Sequence, residues 1–217
     1  MEKESEKLSN SVVVGITGGI GTGKSGVAKF ITGLGYKVIK TDDRAKELMK
    51  TDDGLIKELK VRFGEQVYLA DGSINSAHLS SLVFGESEVH IKNLETLNSI
   101  VHPHAIDDMI SQVEQYENAG EKLIFVESAL IYEAGLEDGF DYVIVVYAPK
   151  DIVISRLKKS GKLTEAQIEQ RMNSQISQDD KVQWADFVID NSGSVEDLRK
   201  SVEFIINILK NLGSESE

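Results

Sequence analysis

The sequence predicts an α/β fold in three layers: a five-stranded, mostly parallel sheet between helices, with a helical insert and a helical lid. Three observations carry this. Short β-branched runs alternate with longer helical patterns, a glycine-rich loop joins the first run to the first helical stretch, and two later intervals hold helical patterns where a short crossover would do.

The first strand is read at Val12 to Thr17 and is followed by Gly18-Gly19-Ile20-Gly21-Thr22-Gly23-Lys24-Ser25 and a helical stretch, Gly26 to Ile31. The remaining strands are expected at Lys37 to Lys40, Leu123 to Val126, Tyr142 to Tyr147 and Phe187 to Asp190, all short and largely apolar, as buried parallel strands are. About eighty residues separate the second strand from the third, where a crossover needs only a dozen or so. That interval carries helical patterns at Leu55 to Phe63 and Ala77 to Phe84, then a long one from about Val89 to Ala119 that Pro103 is expected to break or kink. A helical subdomain there would cover the C-terminal edge of the sheet, where open α/β sheets bind ligands. A second insert, Arg156 to Asp186, is charged and helical, with a turn at Ser160-Gly161-Lys162. The expected organisation is a nucleotide-binding core of residues 11–60, 120–155 and 185–212, a substrate-binding insert of 61–119 and a lid of 156–184. Residues 1–10 and 213–217 are polar and charged, and fraying is expected at both ends.

A chain of 217 residues, 41% of them hydrophobic, suits one domain with insertions. It contains no cysteine, which excludes disulfides, a thiolate nucleophile and a cysteine metal site. No apolar run approaches the roughly 18 residues of a membrane helix, and the start lacks the apolar core of a signal peptide. A soluble cytoplasmic protein, monomer or weak homo-oligomer, is expected. A net charge of −12 opposes binding to nucleic acid. Any anionic small substrate must then be met by a few local Lys and Arg side chains and by backbone N–H groups.

The loop fits the pattern G-x-x-x-x-G-K-[ST] in its required context of strand, loop and helix. Its glycines let backbone N–H groups turn inward, and the following helix adds the positive end of its dipole. Gly19, Ile20, Gly21, Thr22, Gly23, Lys24, Ser25 and Gly26 are thus the expected contacts to a polyphosphate, with Lys24 on the outer phosphates and Ser25 a ligand for Mg²⁺. The bland alternative is a glycine-rich turn that merely packs a helix on a strand.

Asp42, in Thr41-Asp42-Asp43 after the second strand, is the candidate base for an attack on the γ-phosphate of ATP. The alternative is a helix cap. Arg156 and Arg171 could bring guanidiniums over the phosphates, or could belong to an exposed helix face. Lys158, Lys159 and Lys162 read as solvated charges. Glu127 and Glu133 could meet Mg²⁺ through water or hold a basic group. His102-Pro103-His104 suits packing or a substrate edge better than a metal, since alternate residues at a helix start diverge. Asn191-Ser192-Gly193 could contact a base ring or cap the following helix.

Taken in order, these segments resemble the dephospho-coenzyme A kinase family of P-loop small-molecule kinases. The resemblance spans residues 12 to 205. It rests on Gly15 to Ser25, Leu34 to Asp42, Asp71-Gly72-Ser73-Ile74, Val83-Phe84, His102-Pro103, Glu133, Arg171 with Gln175, and Ala185 to Asn191. It implies a P-loop NTPase-type fold and transfer of the ATP γ-phosphate to the ribose 3′-hydroxyl of dephospho-coenzyme A. In that scheme Mg²⁺-ATP binds the loop, Asp42 orients the hydroxyl, Lys24 and Arg156 stabilise charge, and Asn191 joins the nucleotide contacts. The chain departs from the family at Lys40, where an acid is common, at Gly26, where Thr is usual, at Ser76, where Arg is expected, and at Ser160, where a second Arg is common. Two rivals stay open: another small-molecule kinase with the same loop and lid, and a nucleotide-dependent switch. Against the switch, the guanine-reading N-K-x-D segment is absent.

Overall fold

The computed structural model describes residues 11–85, 87–161 and 163–214. They divide into two compact units, one formed by the described residues up to Lys40 together with those from Val113 onward, the other by Thr41–Gln112. The expected fraying at 1–10 and 215–217, and Lys162 of the expected turn, lie outside the described residues.

The first unit is built on a five-stranded sheet of β1 (Val12–Thr17), β2 (Lys37–Lys40), β3 (Leu123–Glu127), β4 (Tyr142–Tyr147) and β5 (Phe187–Asp190). Its order is β2-β3-β1-β4-β5, and every pairing is parallel. The central strand β1 pairs on one side with β3, Val14 opposite Phe125, and on the other with β4, Thr17 opposite Val145. Two carboxylates finish the ladder at its N-terminal edge: Val13 N–H donates to Asp141 Oδ2 (2.8 Å) and Val143 N–H to Asp186 Oδ2 (2.7 Å).

Helices α1 (Lys24–Gly33) and α9 (Val195–Ser214) cover one face. Val27 and Ile31 of α1, and Leu198, Val202, Ile205, Ile206 and Leu209 of α9, pack on Val14, Ile16, Phe125 and Ile144. The α9 positions repeat at helical spacing, so one stripe of that helix is apolar. α9 runs to Ser214, two residues into the tail expected to fray. α6 (Lys150–Ser160) is closed by Gly161 at φ 66° and is followed by α7 (Glu165–Asn173) and α8 (Gln178–Trp184). Val182 and Ala185 pack with Ile176 against Ile131, Val143 and Val145, which builds a second apolar cluster with strand β4.

The second unit holds α2 (Thr41–Thr51), α3 (Asp53–Phe63), α4 (Ser76–Val83) and most of α5 (Glu88–Asn118). Its core is Leu55, Leu59, Val67, Leu79, Val83 and Val101, with Ala45, Leu48 and Met49 of α2 against it. This unit therefore begins at Thr41 rather than at residue 61, because α2 and α3 place their apolar faces in the helical cluster and Tyr68 Oη donates to Met49 O (2.7 Å). Residues 113–119, expected in the insert, go with the sheet. Asp52 caps α3 by accepting from Leu55 N–H (2.9 Å).

Pro103 does not break α5, which is 31 residues long and runs through it. The missing N–H removes one helical bond, and both flanks are fixed: Val101 is buried in the cluster, and Asp108 accepts from Arg44 Nε (2.9 Å) and Nη2 (2.6 Å). Among the described residues, no helix is long and apolar enough to cross a membrane.

Candidate active site

The loop leaves the C-terminal end of β1 and enters α1 through Gly23, whose φ of 100° and ψ of 22° give the helix a left-handed N-cap without a side-chain bond. A Cβ at Gly23 would lie 2.1 Å from Nδ2 of Asn191, so conformation and space both require glycine. Thr22 Oγ1 donates to Gly19 O (2.9 Å) inside the loop. Lys24, only 8% exposed, folds its Nζ back onto the carbonyls of Gly18 (2.8 Å) and Gly19 (3.2 Å). Bonds to these two carbonyls can be exchanged for stronger ones to charged oxygens.

Residues from the ends of other strands complete this site. Glu127 closes β3 in register with Ile16, and its Oε1 accepts from Ser25 Oγ at 3.1 Å. A hydroxyl and a carboxylate side by side are hard oxygen donors, a fit for Mg²⁺ beside bound phosphates. Asn191 follows β5: its N–H donates to Tyr147 O (2.8 Å), its Nδ2 to Thr22 O (2.7 Å), and its carbonyl accepts from Arg156 Nη2 (2.8 Å). Arg156 Nη1 is buried with no hydrogen-bond partner among the described residues. An orphaned guanidinium donor next to the loop suits an anionic guest.

The structure thus brings Gly19 to Gly26, Glu127, Arg156 and Asn191 together in the sheet unit. Asn191 spends its side-chain nitrogen on the loop's own backbone. Asp42 belongs to the helical unit, in the first turn of α2, two residues past the end of β2. In that unit burial holds the His102 imidazole below its ordinary value, and the Asp42 carboxylate pulls it partly back up. His104 stands between Asp52 Oδ2 (3.2 Å) and Glu58 Oε1 (3.4 Å), and no metal-holding group of His, Asp and Glu exists among the described residues. Arg171 is exposed on α7, and Lys158 makes an exposed pair with Glu165 (2.7 Å). Glu133 holds a basic group: Lys181 Nζ lies 2.6 Å from its Oε1 and is completely buried. Nothing in the sequence marks Lys181 as buried among the other lysines. Gln175, which stands out in sequence only through the family resemblance, accepts from the loop N–H of Ile20 at 2.8 Å.

A parallel sheet whose central strand delivers this loop into a helix defines a P-loop nucleotide-binding protein. A model of the dephospho-CoA kinase family matches residues 12–197. The dephospho-CoA kinase of Listeria monocytogenes is 36% identical over 199 residues, 91% of this chain and 98% of its own length. That of Bacillus licheniformis is 36% identical over 202 residues, 93% of this chain and 98% of its own. Among solved structures, TT1252 from Thermus thermophilus superposes with a TM-score of 0.75 at 28% identity, covering 92% of this chain and 98% of that one. The chain belongs to the dephospho-CoA kinase family.

Proposed function

We propose that this protein transfers the γ-phosphoryl group of ATP to the ribose 3′-hydroxyl of dephospho-coenzyme A, yielding coenzyme A and ADP. The observation that carries this is the loop with its attendant charges: Lys24 folded over the cradle, Ser25 beside Glu127, and an unpartnered Arg156 Nη1. Family membership supplies the acceptor.

In this reading the loop N–H groups grip the triphosphate, and Lys24 leaves the carbonyls of Gly18 and Gly19 for phosphate oxygens. Arg156 adds charge as the bond from γ-phosphorus to the bridging oxygen of ADP breaks. Asp42 orients the 3′-hydroxyl and takes its proton while the new P–O bond forms. Ser25 and Glu127 would hold Mg²⁺, which neutralises phosphate charge when bound. Positioning, more than covalent chemistry, lowers the barrier. The reading places the enzyme in the cytoplasm as a monomer or weak homo-oligomer, and its net charge of −12 argues against a nucleic-acid partner.

Incubation with ATP, Mg²⁺ and dephospho-coenzyme A should add one phosphoryl group to the acceptor by mass spectrometry, in preference to nucleoside monophosphates and other metabolite alcohols. Asp42→Asn should bind ATP normally and turn over almost no acceptor. Preference for another alcohol would overturn the substrate assignment, and full turnover by the variant would remove Asp42 as the base.

A further inference from the structure

We propose that Gln175 is a positioning residue for the phosphoryl donor, and that the Glu133–Lys181 pair sets it against the phosphate loop. The segment 175–181 is fastened at both ends. At one end Gln175 Oε1 accepts from Ile20 N–H at 2.8 Å, a bond between residues 155 apart in sequence. Gln178 lies on the same limb, since a Cβ on Gly19 would come within 2.6 Å of its Nε2. At the other end Lys181, 0% exposed, meets Glu133 Oε1 at 2.6 Å and donates to Ala129 O at 3.3 Å. The same Glu133 oxygen accepts from Ile176 N–H at 3.2 Å, next in the chain to Gln175. One carboxylate therefore fixes both the backbone beside Gln175 and the lysine six residues on.

The brace completes the hold on the loop at that point. Thr22 Oγ1 and Lys24 Nζ hold the carbonyl side of the Gly19–Ile20 peptide plane from within the loop, and Gln175 takes its N–H side from outside. An acceptor fixed from outside settles that plane during folding, before the nucleotide arrives. Order supplied in advance appears as affinity. The ion pair has a corresponding purpose: with Lys181 fully buried and Glu133 largely so, it is a weak source of net stability, but its geometry admits one placement of the segment.

This inference rests on the reading of the loop as the nucleotide site, so the test uses binding without acceptor. Gln175→Leu keeps the bulk and removes the acceptor oxygen. It should weaken Mg²⁺-ATP binding by calorimetry about tenfold, the worth of one hydrogen bond. It should raise KM for ATP with kcat nearly unchanged, and speed exchange of the Ile20 amide hydrogen in the free enzyme. A double variant, Glu133→Gln with Lys181→Met, leaves no lone buried charge and should shift KM for ATP in the same direction. Gln175→Leu binding ATP as wild type does, with the Ile20 amide still protected, overturns the proposal. Tighter binding overturns it too, since the contact would then compete with the donor. A wild-type protein that binds no ATP overturns the loop reading itself.

Discussion

Replacing Asn191 by alanine separates two jobs open to a residue in this place: holding the loop and reading the base. The backbone bonds of Asn191, to Tyr147 O and from Arg156, survive truncation. What disappears is the 2.7 Å bond from Nδ2 to Thr22 O, made in a buried setting by a residue 9% exposed. Leaving a buried carbonyl unpartnered costs about 1–3 kcal/mol. Taking about 2 kcal/mol, the midpoint of thermal unfolding should fall by roughly 4–8 °C in a chain of this size. If most of that loss must be recovered on ordering the loop around a triphosphate, binding weakens by about tenfold or somewhat more, at 1.4 kcal/mol per decade. Scanning calorimetry supplies the first number, and titration with ATP and with GTP the second. Both nucleotides should lose affinity by the same factor, because the lost bond holds the backbone of the loop rather than a base. Selective loss of ATP, with unfolding unchanged, would show that Asn191 reads the base and would refute the pinning argument.

Gly23→Ala should exceed that effect: a left-handed backbone costs an alanine about 1–2 kcal/mol, and its Cβ, 2.1 Å from Asn191 Nδ2, also expels the pinning amide. Nucleotide binding should fall by roughly a hundredfold, and a double-mutant cycle should find the two substitutions far from additive, since both remove one bond. Asp108→Asn should destabilise the protein by about 1 kcal/mol at neutral pH, after discounting for the solvent exposure of Arg44. The Arg44 guanidinium holds the Asp108 carboxyl below its ordinary 3.8, so its contribution is complete above that value and vanishes as pH falls through the lowered one. Urea melts of wild type and variant should therefore converge in acid; a constant difference across that window would place the effect outside the ion pair.

The sheet was legible because buried parallel strands leave a plain record, short β-branched runs between polar breaks. Four of five strands match their expected bounds, and β3 gains only Glu127. The limits of the helical unit were not legible. The pattern of α2 and α3 shows that each has an apolar face, but not which core receives it; Leu48 and Leu55 settle that only in three dimensions. The break expected at Pro103 is absent for a related reason: its local cost is real, and long-range contacts on both sides of it offset that cost.

The site divides along the same line. A local motif states what the loop binds, since backbone amides, lysine and hydroxyl all lie within Gly18 to Ser25. What holds the loop arrives from far along the chain: Glu127 across 102 residues, Gln175 across 155 and Asn191 across 169. The topology explains why these meet. With β1 at the centre and β3 and β4 beside it, residues at and beyond the C-terminal ends of several strands converge on the loop that leaves β1. Single polar side chains there carry no periodicity and no spacing rule. Their work is to fix glycine-rich backbone that would otherwise be soft, which is why a motif readable in eight residues depends on a scaffold of nearly the whole sheet unit.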